Sequence, residues 1–443
     1  MTLNADIEQS LLQKITKCIS SSKLDTCVTV AVQLIGSEVA PEDVWGILEL
    51  ARTRIMQAQY DFGYVISLAV AKSLPQGQGP VKPYYYAAIS AHKLGKLSEA
   101  KDYYQKTIAL EPIYQISVVE NGRLKIIPSL DNRELSQLYH NFAVLFYELG
   151  DVAQAEEDYR NAIHHDINNA ASHNDLANIL VGKLGQENEA EDHYLKAIAL
   201  GLTTSYFNYA NLLSKLGRMT EAESNYKSAI KLTPNDSKPN NNYAMLLEKK
   251  GREKEAETHY KKAIELDPKN IAARNNYANL LRRKQRFSEA ESEMRIALEL
   301  DPDNAYLLGT FGDILADEGN LQEAERILRK ALFAFNSIEQ NAISQTHNSL
   351  GSVYGELKEY NKAKREFIRA IGFDYQNVKA IRNLRKVNSL LGEELKSFPS
   401  KMFTNVKSVT IGPTGIGITF ERESINRMIP SKIGPTIAIN LER

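Results

Sequence analysis

Residues 237–270 read SKPNNNYAMLLEKKGREKEAETHYKKAIELDPKN, and residues 271–304 read IAARNNYANLLRRKQRFSEAESEMRIALELDPDN. Laid over one another, the two stretches repeat Asn-Tyr-Ala, Glu-Ala and Asp-Pro at a period of 34 residues. Outward in both directions, the second alanine column continues as Ala100, Ala155, Ala190, Ala222, Ala256, Ala290, Ala324 and Ala363. Five residues before it stands Gly95, Gly150, Gly185, Gly217, Gly251 or Gly319, with Gln285 and Lys358 in two copies. Four residues after it stands Tyr104, Tyr159, Tyr194, Tyr226, Tyr260, Met294, Leu328 or Phe367, and twelve after it Pro112, Pro234, Pro268 or Pro302.

These columns predict two antiparallel helices per repeat. Tyr243, Leu246 and Leu247 form one apolar stripe at helical spacing, and Ala256, Tyr260, Ala263 and Ile264 form the other. The glycine permits a tight turn that a Cβ would obstruct. Thr220 with Glu223 and Ser288 with Glu291 read as capping boxes that start the second helix, and Asp-Pro stops it. Alanine lets neighbouring helices approach, the larger residue fills the gap one turn away, and each pair exposes an apolar face that only another pair can cover.

The pattern resembles the tetratricopeptide repeat family, whose period is about 34 residues with alanine, an aromatic and proline at these offsets. The resemblance implies an all-α, right-handed solenoid. Eight repeats run from about Lys82 to Tyr375, and Leu50, Ala51, Tyr60 and Pro75 mark a degenerate ninth. Residues 44–397 are therefore expected to form the superhelix. Val378, Ile381, Leu384, Val387 and Leu391 mark its capping helix, where Arg385 stands in the small-residue column. Residues 1–43 are expected to form an N-terminal helical cap with a buried stripe of Leu11, Leu12, Ile15, Val28, Val32 and Ile35.

Two segments break the period. An insertion near 113–134 places the β-prone runs Ile113–Val119 and Leu124–Ile127 around Glu120-Asn121-Gly122, which predicts a hairpin. Residues 398–443 form a β-prone tail. Val406–Ile411 and Ile416–Phe420 flank Gly412-Pro413-Thr414-Gly415, and Ile433-Gly434-Pro435-Thr436 repeats the tetrapeptide. The glycines there lack the Gly-Lys-Ser/Thr of a phosphate loop.

Candidate binding residues lie on the first helix of each pair. Asn141, Asp175, Asn208, Asn242 and Asn276 stand two residues before its small-residue column, and Asn178, Asn211 and Asn279 one after it. Asparagine forms helices poorly, so its repetition needs a reason. A side-chain amide can pair with both N–H and C=O of a peptide, and helices about 8–10 Å apart match about three residues of extended chain. Five rungs at about 0.5–1.5 kcal/mol each would hold an extended backbone weakly, without reading its sequence. The ladder is similar to that of the superhelix in O-linked N-acetylglucosamine transferases, whose catalytic domain could not fit in the last 46 residues. The chaperone carboxylate clamp of the family is disfavoured, because His140, Asn174, Asn241 and Asn275 stand where its first lysine belongs.

Lys215, Lys249 and Arg283 recur at 34, and residues 249–286 hold twelve Lys or Arg against five acids, so an acidic partner segment is expected. The alternatives are a substrate-targeting subunit of an enzyme such as a glycosyltransferase, and a sensor or self-association module acting through its ends, hairpin and tail.

Composition narrows the rest. The 443 residues are 43% apolar, and 54 Lys+Arg against 55 Asp+Glu leave a net charge of −1, too balanced for a nucleic-acid binder. Neither a signal peptide nor an apolar run of membrane-spanning length is evident, so a cytoplasmic protein without membrane partners is expected. Cys18 and Cys27 suit neither a disulfide framework nor a zinc site, and are expected to be buried and reduced. His164, His165 and Asp166 end a helix without further convergent ligands, and no nucleophile motif appears. No cofactor, metal or enzymatic activity is expected. Tyrosine fills repeat columns at Tyr60, Tyr104, Tyr159, Tyr194, Tyr209, Tyr226, Tyr243, Tyr260, Tyr277, Tyr354 and Tyr360, which accounts for half of the chain's 22.

Overall fold

The computed structural model describes residues 5–38, 44–73, 81–111, 115–120, 123–128, 130–183, 185–336 and 338–392, with four strands between 397 and 439. It forms two compact units, Met1–Leu232 and Thr233–Arg443.

The first unit begins with α1 (Ala5–Ser21), α2 (Leu24–Glu38), α3 (Val44–Met56) and α4 (Tyr60–Ser73). The pairs α5 (Val81–Lys93) with α6 (Leu97–Leu110), α7 (Asn132–Glu148) with α8 (Val152–His165), α9 (Ala170–Leu180) with α10 (Glu187–Ala199), and α11 (Thr204–Lys215) with α12 (Met219–Leu232) follow. Between α6 and α7, β1 (Gln115–Glu120) and β2 (Arg123–Pro128) pair antiparallel, with Ile116 opposite Ile127. Ile113, Asn121 and Gly122 lie outside the described residues.

The second unit pairs α13 (Ser237–Lys249) with α14 (Glu253–Leu266), α15 (Ile271–Arg283) with α16 (Phe287–Leu300), α17 (Ala305–Glu318) with α18 (Leu321–Ala334), and α19 (Gln340–Glu356) with α20 (Tyr360–Phe373). It ends in α21 (Val378–Leu390) and a sheet ordered β3 (Ser397–Phe398), β4 (Val406–Gly412), β5 (Gly415–Phe420), β6 (Ile437–Ile439). β4 and β5 are antiparallel and β5 and β6 parallel. Pro413-Thr414 and Ile433–Thr436 lie outside the described residues.

Packing follows the columns. All eight alanines from Ala100 to Ala363 are fully buried, and Tyr104, Tyr159, Tyr194, Tyr226 and Tyr260 lie against them, nearly as deep. In the first-helix column, Gly312 and Gly351 replace alanine because the facing side chains come closer. A Cβ on Gly312 would meet Leu328 Cγ at 2.5 Å, and one on Gly351 would meet the Phe367 ring at 2.7 Å. The turn glycines adopt φ from 72° to 94°, and Gln285 (59°) and Lys358 (61°) hold the same left-handed conformation without glycine's freedom.

Four expectations are corrected. Cys18 and Cys27 are joined as a disulfide rather than reduced, because the tight α1–α2 hairpin brings their Cα atoms to 5.6 Å. Such a bond closes where the surroundings oxidise. Leu12 and Val32 are half-buried, leaving Leu11, Ile15, Val28 and Ile35 as the buried stripe. Val378 is exposed at the start of α21 and Leu391, just past its end, is half-buried, leaving Ile381, Leu384 and Val387 as the buried part of the expected stripe. The capping boxes do not form: α12 starts at Met219 and α16 at Phe287, so Thr220 and Ser288 lie inside their helices. An arginine fork replaces them, in which Arg218, Arg252 and Arg286 each reach the glutamate three residues on, at 2.6–2.8 Å.

Candidate peptide groove

The first helices of the pairs set the candidate residues side by side, but the amides are bonded among themselves. In the first unit Asn208 Nδ2 donates to Asn174 Oδ1 on the preceding first helix at 3.0 Å, and Ser205 Oγ donates to the same oxygen at 3.0 Å. Asn174 Nδ2 in turn donates to Asp175 at 2.9 Å. Asn141 Nδ2 donates to the Tyr85 hydroxyl at 3.3 Å. Asn178 Oδ1 accepts from the Tyr194 hydroxyl at 2.7 Å, and Asn211 Oδ1 from the Tyr226 hydroxyl at 2.7 Å. In these two repeats the tyrosine of the second helix thus orients the asparagine of its partner helix. Burial raises the Asp175 pKa against the opposing pull of His140, whose own pKa burial lowers.

The result is a cleft of about 280 Å³ lined by Asn178, Val181, Tyr194, Asn208, Asn211, Leu212 and Lys215. Four of the sequence-predicted residues meet there. Lys215 reaches back to the Val181 carbonyl at the C-terminus of α9 at 2.8 Å, where a cation suits the helix dipole.

In the second unit the chain of amides recurs. Asn276 Nδ2 donates to Asn241 Oδ1 at 3.0 Å, and Asn241 Nδ2 to Asn242 at 2.9 Å. Asn383 and Asn348 repeat the step at 3.0 Å. Asn279 Nδ2 is turned to the Asn275 carbonyl at 3.1 Å. Asn275 Oδ1 is buried without a hydrogen-bond partner. The position 35 residues on, where an asparagine would donate, is Thr310.

The expected basic row is largely consumed. Arg283 pairs with Glu248, which also accepts from the Tyr260 hydroxyl, and Arg282 bridges Asp313 (3.1 Å) and Asp317 (2.6 Å). Lys249 is exposed with no ion pair among the described residues. Burial pushes the Glu257 carboxyl up, but Lys284 (2.6 Å), Arg286 (2.7 Å) and Lys261 (3.0 Å) together hold it well below the usual carboxylate range. At least eight of the twelve bases of 249–286 therefore pair with acids, several of which lie outside that window.

Two devices escaped the sequence reading. Asn169, Asn270 and Asn377 cap the helices they precede, and each also donates at 2.9 Å to a serine on the preceding first helix, Ser136, Ser237 or Ser344. The signal was available as Asp-x-x-Asn at 166–169, 267–270 and 374–377. The second device is the Asn174, Asn241 and Asn348 column, which supplies the acceptors. His165 stacks on Tyr139 with ring centroids 5.4 Å apart. Among the described residues no three His, Cys, Asp or Glu side chains converge to hold a metal, and no helix is long and apolar enough to cross a membrane.

Tetratricopeptide repeat profiles match residues 84–112, 140–201, 203–236, 237–270, 259–292, 276–337 and 344–377. No curated protein matches the chain. Among solved structures, a tetratricopeptide repeat protein from Parabacteroides merdae is 19% identical over 57% of this chain and 98% of its own, with a TM-score of 0.45. YrrB, described as a tetratricopeptide repeat protein with an unusual peptide-binding site, is 22% identical over 43% of this chain and 97% of its own, with a TM-score of 0.35. PilF of Pseudomonas aeruginosa is 18% identical over 52% and 98%, with a TM-score of 0.42. Repeat columns, helix pairs and profile matches agree: the chain belongs to the tetratricopeptide repeat family.

Proposed function

We propose that the chain is a scaffold or adaptor that holds an extended segment of a partner protein along the first helices of its repeats. Proteins of this family mediate protein–protein contacts. The observation that carries the reading is the cleft of Asn178, Asn208, Asn211 and Lys215 over the apolar floor of Val181 and Leu212. Asn208 spends one amide hydrogen on Asn174 and keeps its carbonyl oxygen for a peptide N–H, while Asn178, whose amide also reaches Asp175 Oδ1 at 3.5 Å, has a second amide hydrogen that suits a peptide carbonyl. Lys215 favours an acidic side chain beside that cleft. In the second unit Arg283 is paired with Glu248, which leaves the exposed Lys249 as the cation of that row with no ion pair among the described residues.

The test is a displayed random dodecapeptide library selected on the full chain and on the Asn208→Ala, Asn211→Ala double variant. Extended peptides of loose consensus, enriched in Asp or Glu and lost on the variant, support the reading. Equal enrichment on both proteins, with both still folded, sinks it.

A further inference from the structure

The first unit holds another cleft, of about 540 Å³, that shares no residue with the asparagine ladder. It lies between α1, the α3–α4 turn and the end of α5. Leu12 and Ile19 of α1 line one side, and Phe62 and Leu94 the other. Thr16 and Ser20 also line it, but their hydroxyls donate to the carbonyls of Leu12 (2.8 Å) and Thr16 (2.9 Å) in their own helix. They ask little of a ligand. The α1 side is tied to α2 by the Cys18–Cys27 disulfide.

Arg54 is the cation among the lining residues. Its Nη1 donates to Gln59 Oε1 at 3.0 Å, and its guanidinium carbon lies 5.7 Å from the centre of the Phe62 ring. Its Nε is shielded from solvent and has no acceptor. No carboxylate pairs with Arg54 among the described residues. Asp61, which shares the cleft, sits in the first turn of α4, where the helix dipole favours an acid. A guanidinium fixed by an amide and an aromatic face, with hydrogen-bonding capacity left over, suits a carboxylate.

We propose that this cleft is a second docking site, for a partner segment that presents apolar side chains around one aspartate or glutamate. The carboxylate meets Arg54, and the apolar side chains cover Leu12, Ile19, Phe62 and Leu94. This goes beyond the groove and stands without it.

A displayed random dodecapeptide library is selected on the full chain with its disulfide closed, and in parallel on Arg54→Gln and on Ile19→Ser. Both positions are partly exposed, and circular dichroism confirms that the variants keep their helices. The expected result is a peptide family with one acidic residue among apolar ones, enriched on the unmodified chain and about tenfold weaker on either variant. Replacing the acid in a selected peptide by its amide should weaken binding to the unmodified chain and leave binding to Arg54→Gln unchanged. Peptides lost on Asn208→Ala but kept on Arg54→Gln belong to the groove. Failure to recover any peptide sensitive to Arg54→Gln, or acid-to-amide discrimination that survives that substitution, overturns the proposal.

Discussion

Thr310→Asn should stabilise the second unit. At 35 residues beyond Asn241 and Asn348, an asparagine donates to the preceding amide oxygen at 3.0 Å; at 35 beyond Asn275 stands Thr310, and the Asn275 oxygen is buried and unpaired. Thr310 is only partly buried, so the longer amide has room, and the helix propensities of threonine and asparagine are close. One restored hydrogen bond is worth about 0.5–1.5 kcal/mol, which for a unit of this size raises the melting midpoint by about 2–4 °C per kcal/mol. Repeat arrays do not always melt in one step, so amide hydrogen exchange should be followed on α15 and α17 beside the melting curve. Slower exchange in both helices with a raised midpoint is the expected outcome. An unchanged midpoint and unchanged exchange, in a protein where Asn276→Ala does destabilise, would refute the account of the amide ladder.

Three further predictions rest on other sites. Asn276→Ala strands the buried Asn241 oxygen and should cost about 1–3 kcal/mol, more than Asn208→Ala, because Asn174 keeps its bond from Ser205; denaturant unfolding of the two variants compares them. Gln285→Gly should stabilise by about 0.5–1 kcal/mol in thermal melts, since glycine removes the left-handed strain at φ 59°, whereas Gly217→Ala should destabilise. Asp158 is buried with Oδ2 unpaired, and burial raises its pKa to about 6. Its folded form binds the proton more tightly than its unfolded form, so its stability contribution is present near pH 4 and lost as pH rises through 6. Asp158→Asn should therefore flatten the stability profile between pH 4 and 6 and gain roughly 2–3 kcal/mol at pH 7.

Much of the fold could be read from periodicity, because alanine at Ala256 and tyrosine at Tyr260 have one economical explanation in close-packed helices. The left-handed turn was legible from Gly251 in the same way, and Gln285 showed that the backbone conformation is kept when glycine is not. What stayed hidden depends on which side chain a neighbour offers. Asn208 looks like a free amide until Asn174 is seen across from it, and Arg283 like a free cation until Glu248 is. Ser288 with Glu291 satisfied a capping pattern, yet the helix starts two residues earlier, where Arg286 with Glu289 stabilises it. The Cys18–Cys27 bond was missed because nine residues of separation say nothing about the hairpin that closes it.

The step from α15 to α17 omits two fastenings at once. Ile271 offers no hydroxyl to the Asn304 cap, whose amide turns to its neighbour Asp301 instead, and Thr310 offers no rung to Asn275. What joins the two helices in their place is charge, from Arg282 to Asp313 and Asp317. Neutral amide contacts are nearly indifferent to ionic strength, while partly exposed ion pairs weaken as salt screens them. Where other steps are riveted, this one is latched, and the ions of the surrounding solution set how firmly.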